Sequence, residues 1–183
     1  MVLNTLKHHE CVYFHIGILN EEFLTELHGA MAYHGLASER FIYLGEVPNL
    51  PEALVQLEID FYVPTLPQSG GKSVIDAMAA GIPVLAHQNA RDRIWGSIDM
   101  IYPSALTWRT LNELDQIFNN VDESLWINQA KDSRDYFDRF HNELLFLSQL
   151  RQGGVDFGSE YIPDLKKYKP EIAYSLLYSG YRK

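Results

Sequence analysis

The chain has 183 residues, 46% of them hydrophobic and 21% charged, which supplies one globular domain with a substantial core and excludes disordered and fibrous classes. A formal net charge of −9 argues against nucleic acid as a partner, since phosphate-backbone binding draws on clustered Lys and Arg; the one basic cluster, Lys166, Lys167 and Lys169, lies beside Asp164 and Glu171. A lone Cys11 cannot form an internal disulfide, no apolar run reaches the roughly 18 residues of a bilayer span, and the first ten residues lack a signal peptide's apolar stretch, so the expectation is a cytoplasmic protein without a transmembrane segment.

Residues 1–10 read as the last turns of a helix with Val2, Leu3 and Leu6 on its apolar face, leading into a first strand at 11–17. Further strands are expected at 40–45, 59–65, 82–87 and 99–102, each a short run rich in β-branched and aromatic residues. Helical spacing fills the intervals at 21–36, where Phe23, Leu24, Leu27, Met31 and Leu36 share a face, and at 51–57 and 72–80. The last of these stops at Gly81, with Pro83 just beyond. Two longer helices are expected at 107–118 and 123–150, the second with a wet face around Asp132, Asp135 and Asp138. Alternating strands and helices predict an α/β domain, a Rossmann-like parallel sheet flanked by helices, over residues 1–151. Residues 152–183, broken by Pro163 and Pro170 and studded with tyrosines, form a tail expected to pack on this or another domain.

The chemistry concentrates where the third strand hands over to a helix through Gly70-Gly71-Lys72-Ser73. Free backbone N–H groups and the positive end of a helix dipole then stand at the carboxyl edge of the sheet, a natural anion site. Gly70 and Gly71 carry no side chain to hold a diphosphate away, and Ser73 adds a hydroxyl. Asp76 follows about five residues into the helix, roughly 7 Å along its axis, the separation between a pyrophosphate and its ribose. A carboxylate there accepts hydrogen bonds from two ribose hydroxyls. The competing reading of Lys72 and Asp76 is a surface ion pair at i, i+4.

Over residues 12–150 the sequence resembles the carboxy-terminal half of GT-B glycosyltransferases, both the group-one enzymes and the O-GlcNAc-transferase-like lineage. The resemblance rests on Phe41-Ile42-Tyr43-Leu44-Gly45, on Asp60-Phe61-Tyr62-Val63-Pro64, and on Asp76-Ala77-Met78-Ala79-Ala80-Gly81-Ile82-Pro83-Val84 at the family's distance from a Gly-rich turn. It implies that Asp76 binds ribose and that Gly70, Gly71, Lys72 and Ser73 hold the donor diphosphate. Gln68 stands where retaining group-one enzymes place a Glu against the donor sugar; it keeps hydrogen-bonding capacity without the charge. In a doubly wound sheet His87, Arg91 and Arg93 face the same cleft edge, with an ordinary loop role as the competing reading of each. The implied ligand is a nucleotide sugar, most readily a UDP-sugar, with no cofactor and no metal. No Asp-x-Asp is present, and the histidines lack the spacing of a helical metal pair.

The family's cationic pair after the first strand of this half, its acceptor domain and its catalytic residues have no counterpart in these residues, and no catalytic residue is assigned. With sheet order 3-2-1-4-5-6, the absent first strand falls between those at 11–17 and 59–65. The expectation is therefore a domain lacking one βα unit, completed by an N-terminal domain, a partner chain or, as a homo-oligomer, another copy. Two rival readings remain. A non-catalytic binding or scaffold module shares the fold; a P-loop would need glycine where Leu66 stands.

Overall fold

Six of the seven α-helices among the described residues start where a short polar side chain or a glycine interrupts the apolar pattern. The computed structural model describes residues 1–66, 70–88 and 100–153. Helix α1 (Val2–His8) precedes strand β1 (Tyr13–Ile16), α2 (Glu21–Tyr33), β2 (Phe41–Gly45) and α3 (Leu50–Gln56). Then come α4 (Gly71–Ala79), β3 (Leu85–His87), β4 (Leu106–Trp108), α5 (Leu111–Asn120), α6 (Glu123–Phe140) and α7 (Glu143–Arg151). The side chains of Asn20, Asn49, Thr110, Asp122 and Asn142 accept backbone N–H groups in the first turns of α2, α3, α5, α6 and α7. Helix α4 ends in a Schellman turn: Gly81, at φ +71°, donates to Met78, and Ile82 donates to Ala77 at 3.0 Å.

Parallel strands flanked by helices make this the α/β fold expected. β1 pairs with β2 in parallel, Tyr13 opposite Phe41. The third expected strand is reduced to a bridge, in which Tyr62 donates to the Pro83 carbonyl and accepts from Leu85, both at 2.9 Å. β3 in turn pairs in parallel with β4. The strands therefore form two groups, β2-β1 and Tyr62-β3-β4. Among the described residues no ladder joins β1 to Tyr62. A cavity of about 1650 Å³ runs along both, lined from Val12 to Ile18 on one side and from Asp60 to Leu66 on the other.

Three further expectations are corrected. Residues 100–102 form no strand; the last strand lies at β4, in the stretch assigned to the start of a helix. Ile101 and Tyr102 are buried, as an apolar run should be, but Tyr102 uses its hydroxyl, not its backbone, to meet the sheet: it accepts the Val84 N–H at 3.1 Å. Helix α5 waits for Thr110, whose Oγ1 accepts Glu113 N–H while Glu113 reaches back to the Arg109 N–H. The long helix at 123–150 divides because Phe140 is followed by His141 at ψ −4° and Asn142, which caps α7. The tail from 154 onward lies outside the described residues.

The main core packs α4 onto the Tyr62-β3 strands and α6, with Val74, Ala77, Met78 and Val84 fully buried. A second cluster, Leu6, Leu27, Met31 and Phe41, joins α1, α2 and β2. Helix α1 is also tied to α5. The Asp115 carboxylate accepts from Asn4 at 3.2 Å, His9 at 3.1 Å and His8 at 3.2 Å. Burial opposes the Asp115 charge, but the bonds from His9, Asn4 and His8 outweigh it and hold the carboxyl below its ordinary value of 3.8. A depressed carboxylate stabilises the fold above its unfolded pKa, and the contribution is lost as pH falls through the folded one. Asp115→Asn should therefore lower the melting temperature by about 1–4 °C at pH 7, on the order of 1 kcal/mol, and by less at pH 3. Equal effects at both pH values in thermal melts would refute this role.

Candidate functional site

Leaving the sheet at Pro64, the chain re-enters regular structure at Gly70, the N-cap of α4. This helix departs from its neighbours: no side chain caps it, and its first turn has no acidic residue. The five side-chain-capped helices each carry Glu in the first turn. The first-turn N–H groups of Gly71, Lys72 and Ser73 are thus without an intrahelical acceptor or a capping side chain, with Lys72 beside them. Gly70 is at φ −69° and Gly71 is not in the left-handed region, so neither glycine is demanded by backbone conformation. A Cβ on Gly70 would meet Ser73 Oγ at 2.7 Å; one on Gly71 would make only ordinary contact, 3.7 Å from Met100 Sδ.

Burial of Val74, Ala77 and Met78 fixes the rotation of α4 about its axis and turns Lys72 and Asp76 outward. The ion pair between them is formed, with Lys72 Nζ at 2.7 Å from Asp76 Oδ2 and 3.0 Å from Oδ1. Lys72 is 86% exposed and Asp76 only 18%, so the carboxylate is fixed by its surroundings and the ammonium is free to swing away. Ser73 Oγ donates to the Gly70 carbonyl at 3.1 Å. Its hydroxyl is turned into the helix start and must rotate to meet an anion.

Beneath Ser73 lies Tyr62, a residue that motif reading passed over as strand core. Burial raises its phenol pKa; a hydrogen bond with Ser73 opposes the rise, and the Asp76 charge adds to it. Tyr62 thus connects the strand to Ser73 and Asp76 of α4. Met100, beside Gly71, comes from 29 residues away and had no local signal. His87 lies at the carboxyl end of β3, but its ring packs on Trp108 at 4.5 Å and its Nε2 donates to the Arg109 carbonyl at 3.3 Å. Gln68 and Arg91, with Arg93, lie outside the described residues. Gly70, Gly71, Lys72, Ser73 and Asp76 are therefore brought together, and His87 is engaged elsewhere. Among the described residues no group of three or more His, Cys, Asp or Glu side chains is placed to hold a metal ion. None of their helices is long and apolar enough to cross a membrane.

The arrangement defines a class: an α/β domain with parallel strands, flanking helices and an uncapped helix start at the carboxyl end of a strand. Within it, the chain is similar in structure to HepE from Anabaena, solved in complex with UDP-glucose, with a TM-score of 0.61 and 16% sequence identity. The match covers 82% of this chain and 43% of that one, so the chain spans less than half the length of the protein it matches. At this identity the likeness is one of fold. No protein-family model matches the chain, and no curated protein matches it in sequence.

Proposed function

We propose that this chain is the donor-binding domain of a GT-B glycosyltransferase and holds a nucleotide diphosphate sugar, UDP-linked, at the start of α4. The carrying observation is that, among the described residues, α4 alone of the helices after α1 lacks both a capping side chain and a first-turn acid, where the chain has left the sheet at Pro64. In this reading the Gly71, Lys72 and Ser73 N–H groups receive the diphosphate, and Asp76 exchanges Lys72 for the two ribose hydroxyls. The freed ammonium then turns to the phosphates. Gln68 contacts the sugar. During transfer the leaving diphosphate gains negative charge, which the helix start stabilises. The fold shared with the UDP-glucose complex of HepE supports the choice of donor. The acceptor and the catalytic base come from an N-terminal domain or partner chain.

The test is calorimetric titration of the purified chain with UDP, UDP-glucose, ADP and GDP. Binding of UDP with a dissociation constant in the micromolar to low millimolar range is expected, with weaker binding of the purine nucleotides. No binding by any of them at millimolar concentration would sink the reading. Gly71→Ala separates ligand approach from fold: the methyl fits beside Met100, so the melting temperature should hold within about 2 °C. UDP affinity should nevertheless fall about three- to tenfold, roughly 0.7–1.4 kcal/mol, because the methyl stands where the diphosphate meets the backbone.

A further inference from the structure

We propose that Met100 is a ligand-contacting residue, the apolar wall on which the sugar ring of a nucleotide-sugar donor packs, and that His141 is the positioning residue that holds it there. The proposal rests on the reading of the α4 head as a diphosphate site and adds the side on which the sugar lies.

Three connections place Met100. Its Sδ and Cε stand 3.7 and 3.8 Å from where a Cβ on Gly71 would sit, so the thioether borders the first residue of α4. The residues that follow anchor its backbone: Ile101 and Tyr102 are buried, and the Tyr102 hydroxyl joins Val84 to Gln129. His141 supplies the third connection, its Nε2 donating to the Met100 carbonyl at 2.8 Å. That imidazole is itself held. The His141 backbone N–H closes α6 on the Phe137 carbonyl at 2.9 Å, and its ring lies 5.6 Å from that of buried Tyr136. A peg from the end of α6 thus reaches across to the head of α4. Met31 and Met78 are buried in the core, whereas Met100 is 40% exposed, a thioether held in place yet open to solvent.

Direction along α4 decides which part of a donor meets it. With the ribose at Asp76 and the diphosphate on the Gly71, Lys72 and Ser73 N–H groups, the ligand runs from the second turn of the helix to its head. The sugar follows the diphosphate and leaves at the Gly71 end, where Met100 stands. A hexose presents C–H groups there as well as hydroxyls, and ligand sites cover such surface with apolar side chains while a few polar groups fix orientation. An unbranched, polarizable thioether adapts to the ring. Losing it should therefore cost the sugar and spare the nucleotide.

The test combines calorimetry of UDP and UDP-glucose with NMR of the chain labelled at its methionine methyl groups. Four methionines give few signals, and Met100→Ala identifies the relevant one by its absence. UDP-glucose should shift the Met100 methyl resonance more than UDP does. Met100→Ala should weaken UDP-glucose about three- to tenfold and UDP less than about twofold. His141→Ala should move the Met100 resonance in the ligand-free chain and reproduce part of that split in affinity. His141→Gln, which keeps an N–H donor, should restore both. An unmoved Met100 resonance in His141→Ala would overturn the positioning role. Equal losses for UDP and UDP-glucose in Met100→Ala, or a Met100 methyl that UDP-glucose leaves unshifted, would overturn the sugar contact; each of these results leaves the diphosphate reading standing. A parent chain that binds neither ligand overturns both.

Discussion

Replacing Tyr102 by Phe lowers the melting temperature by about 4–16 °C, the largest effect expected of any single-atom deletion in this chain, equivalent to roughly 2–4 kcal/mol. The side chain is 2% exposed, and its hydroxyl is the junction of three elements. It accepts the N–H of Val84, which is fully buried where β3 begins, and donates to Gln129 Oε1 on α6 at 2.9 Å. Gln129 in turn donates to the Ser104 carbonyl at 2.8 Å. Phenylalanine fills the same space but strands a buried donor and a buried acceptor, each costing about 1–3 kcal/mol without a partner. Alkaline melts give a second readout. Burial, aided by the Asp132 charge and opposed by the Val84 bond, pushes the Tyr102 phenol up to about 12. A raised phenol supports the fold below its unfolded pKa of 10.0, and that support is lost as pH climbs toward 12. The Phe variant should lose less stability than the parent in that window. A melt within 1 °C of the parent at pH 7 would show that the hydroxyl is not needed.

Asp76→Asn weakens UDP binding by about 10- to 150-fold, or 1.5–3 kcal/mol, the range for hydrogen bonds to a charged group. The fold should be little changed. The ion pair with Lys72 is lost, but an exposed i, i+4 pair with its cation N-terminal contributes at most a few tenths of a kcal/mol. The comparison that decides is with Lys72→Met, which removes the same ion pair and leaves the carboxylate free. If Asp76 serves only that pair, both variants keep the parent's affinity in calorimetric titration. If it binds ribose, Asp76→Asn costs affinity through the nucleoside and weakens uridine and UDP alike, whereas Lys72→Met weakens UDP alone.

What could be read in the sequence was governed by local signals. The start of α4 and its stop at Gly81 were legible because a glycine turn and a left-handed C-cap act within a few residues. The first two strands were legible because each is a short run between turn residues. The last strand was misplaced since Met100-Ile101-Tyr102 is apolar for another reason: Tyr102 is a core side chain whose partners, Val84 and Gln129, lie 18 and 27 residues away. Thr107 and Trp108 read as helix because nothing local marks a three-residue strand whose ladder is made with β3. The break at Asn142 was in the sequence and was overridden by the apolar spacing around it. In the site, Gly70, Gly71, Lys72, Ser73 and Asp76 are consecutive enough for their proximity to follow from helix geometry. Tyr62 could have been found by asking what lies under the first turn. Met100 could not, since only tertiary packing brings it to Gly71.

The two ends of α4 are held differently. At its tail, Arg134 on α6 donates to the Ala79 carbonyl while pairing with Asp138 at 2.9 Å, so a cation already sits at the negative pole of the helix. Along its length Val74, Ala77 and Met78 are locked in the core. The head has no side-chain cap, and among the described residues the groups that must rearrange there are two side chains, Lys72 and Ser73. An anion arriving at that end therefore meets a backbone that is already in position. Its entropic cost is that of fixing two rotamers, roughly 0.5–1.5 kcal/mol each, with no helix to displace.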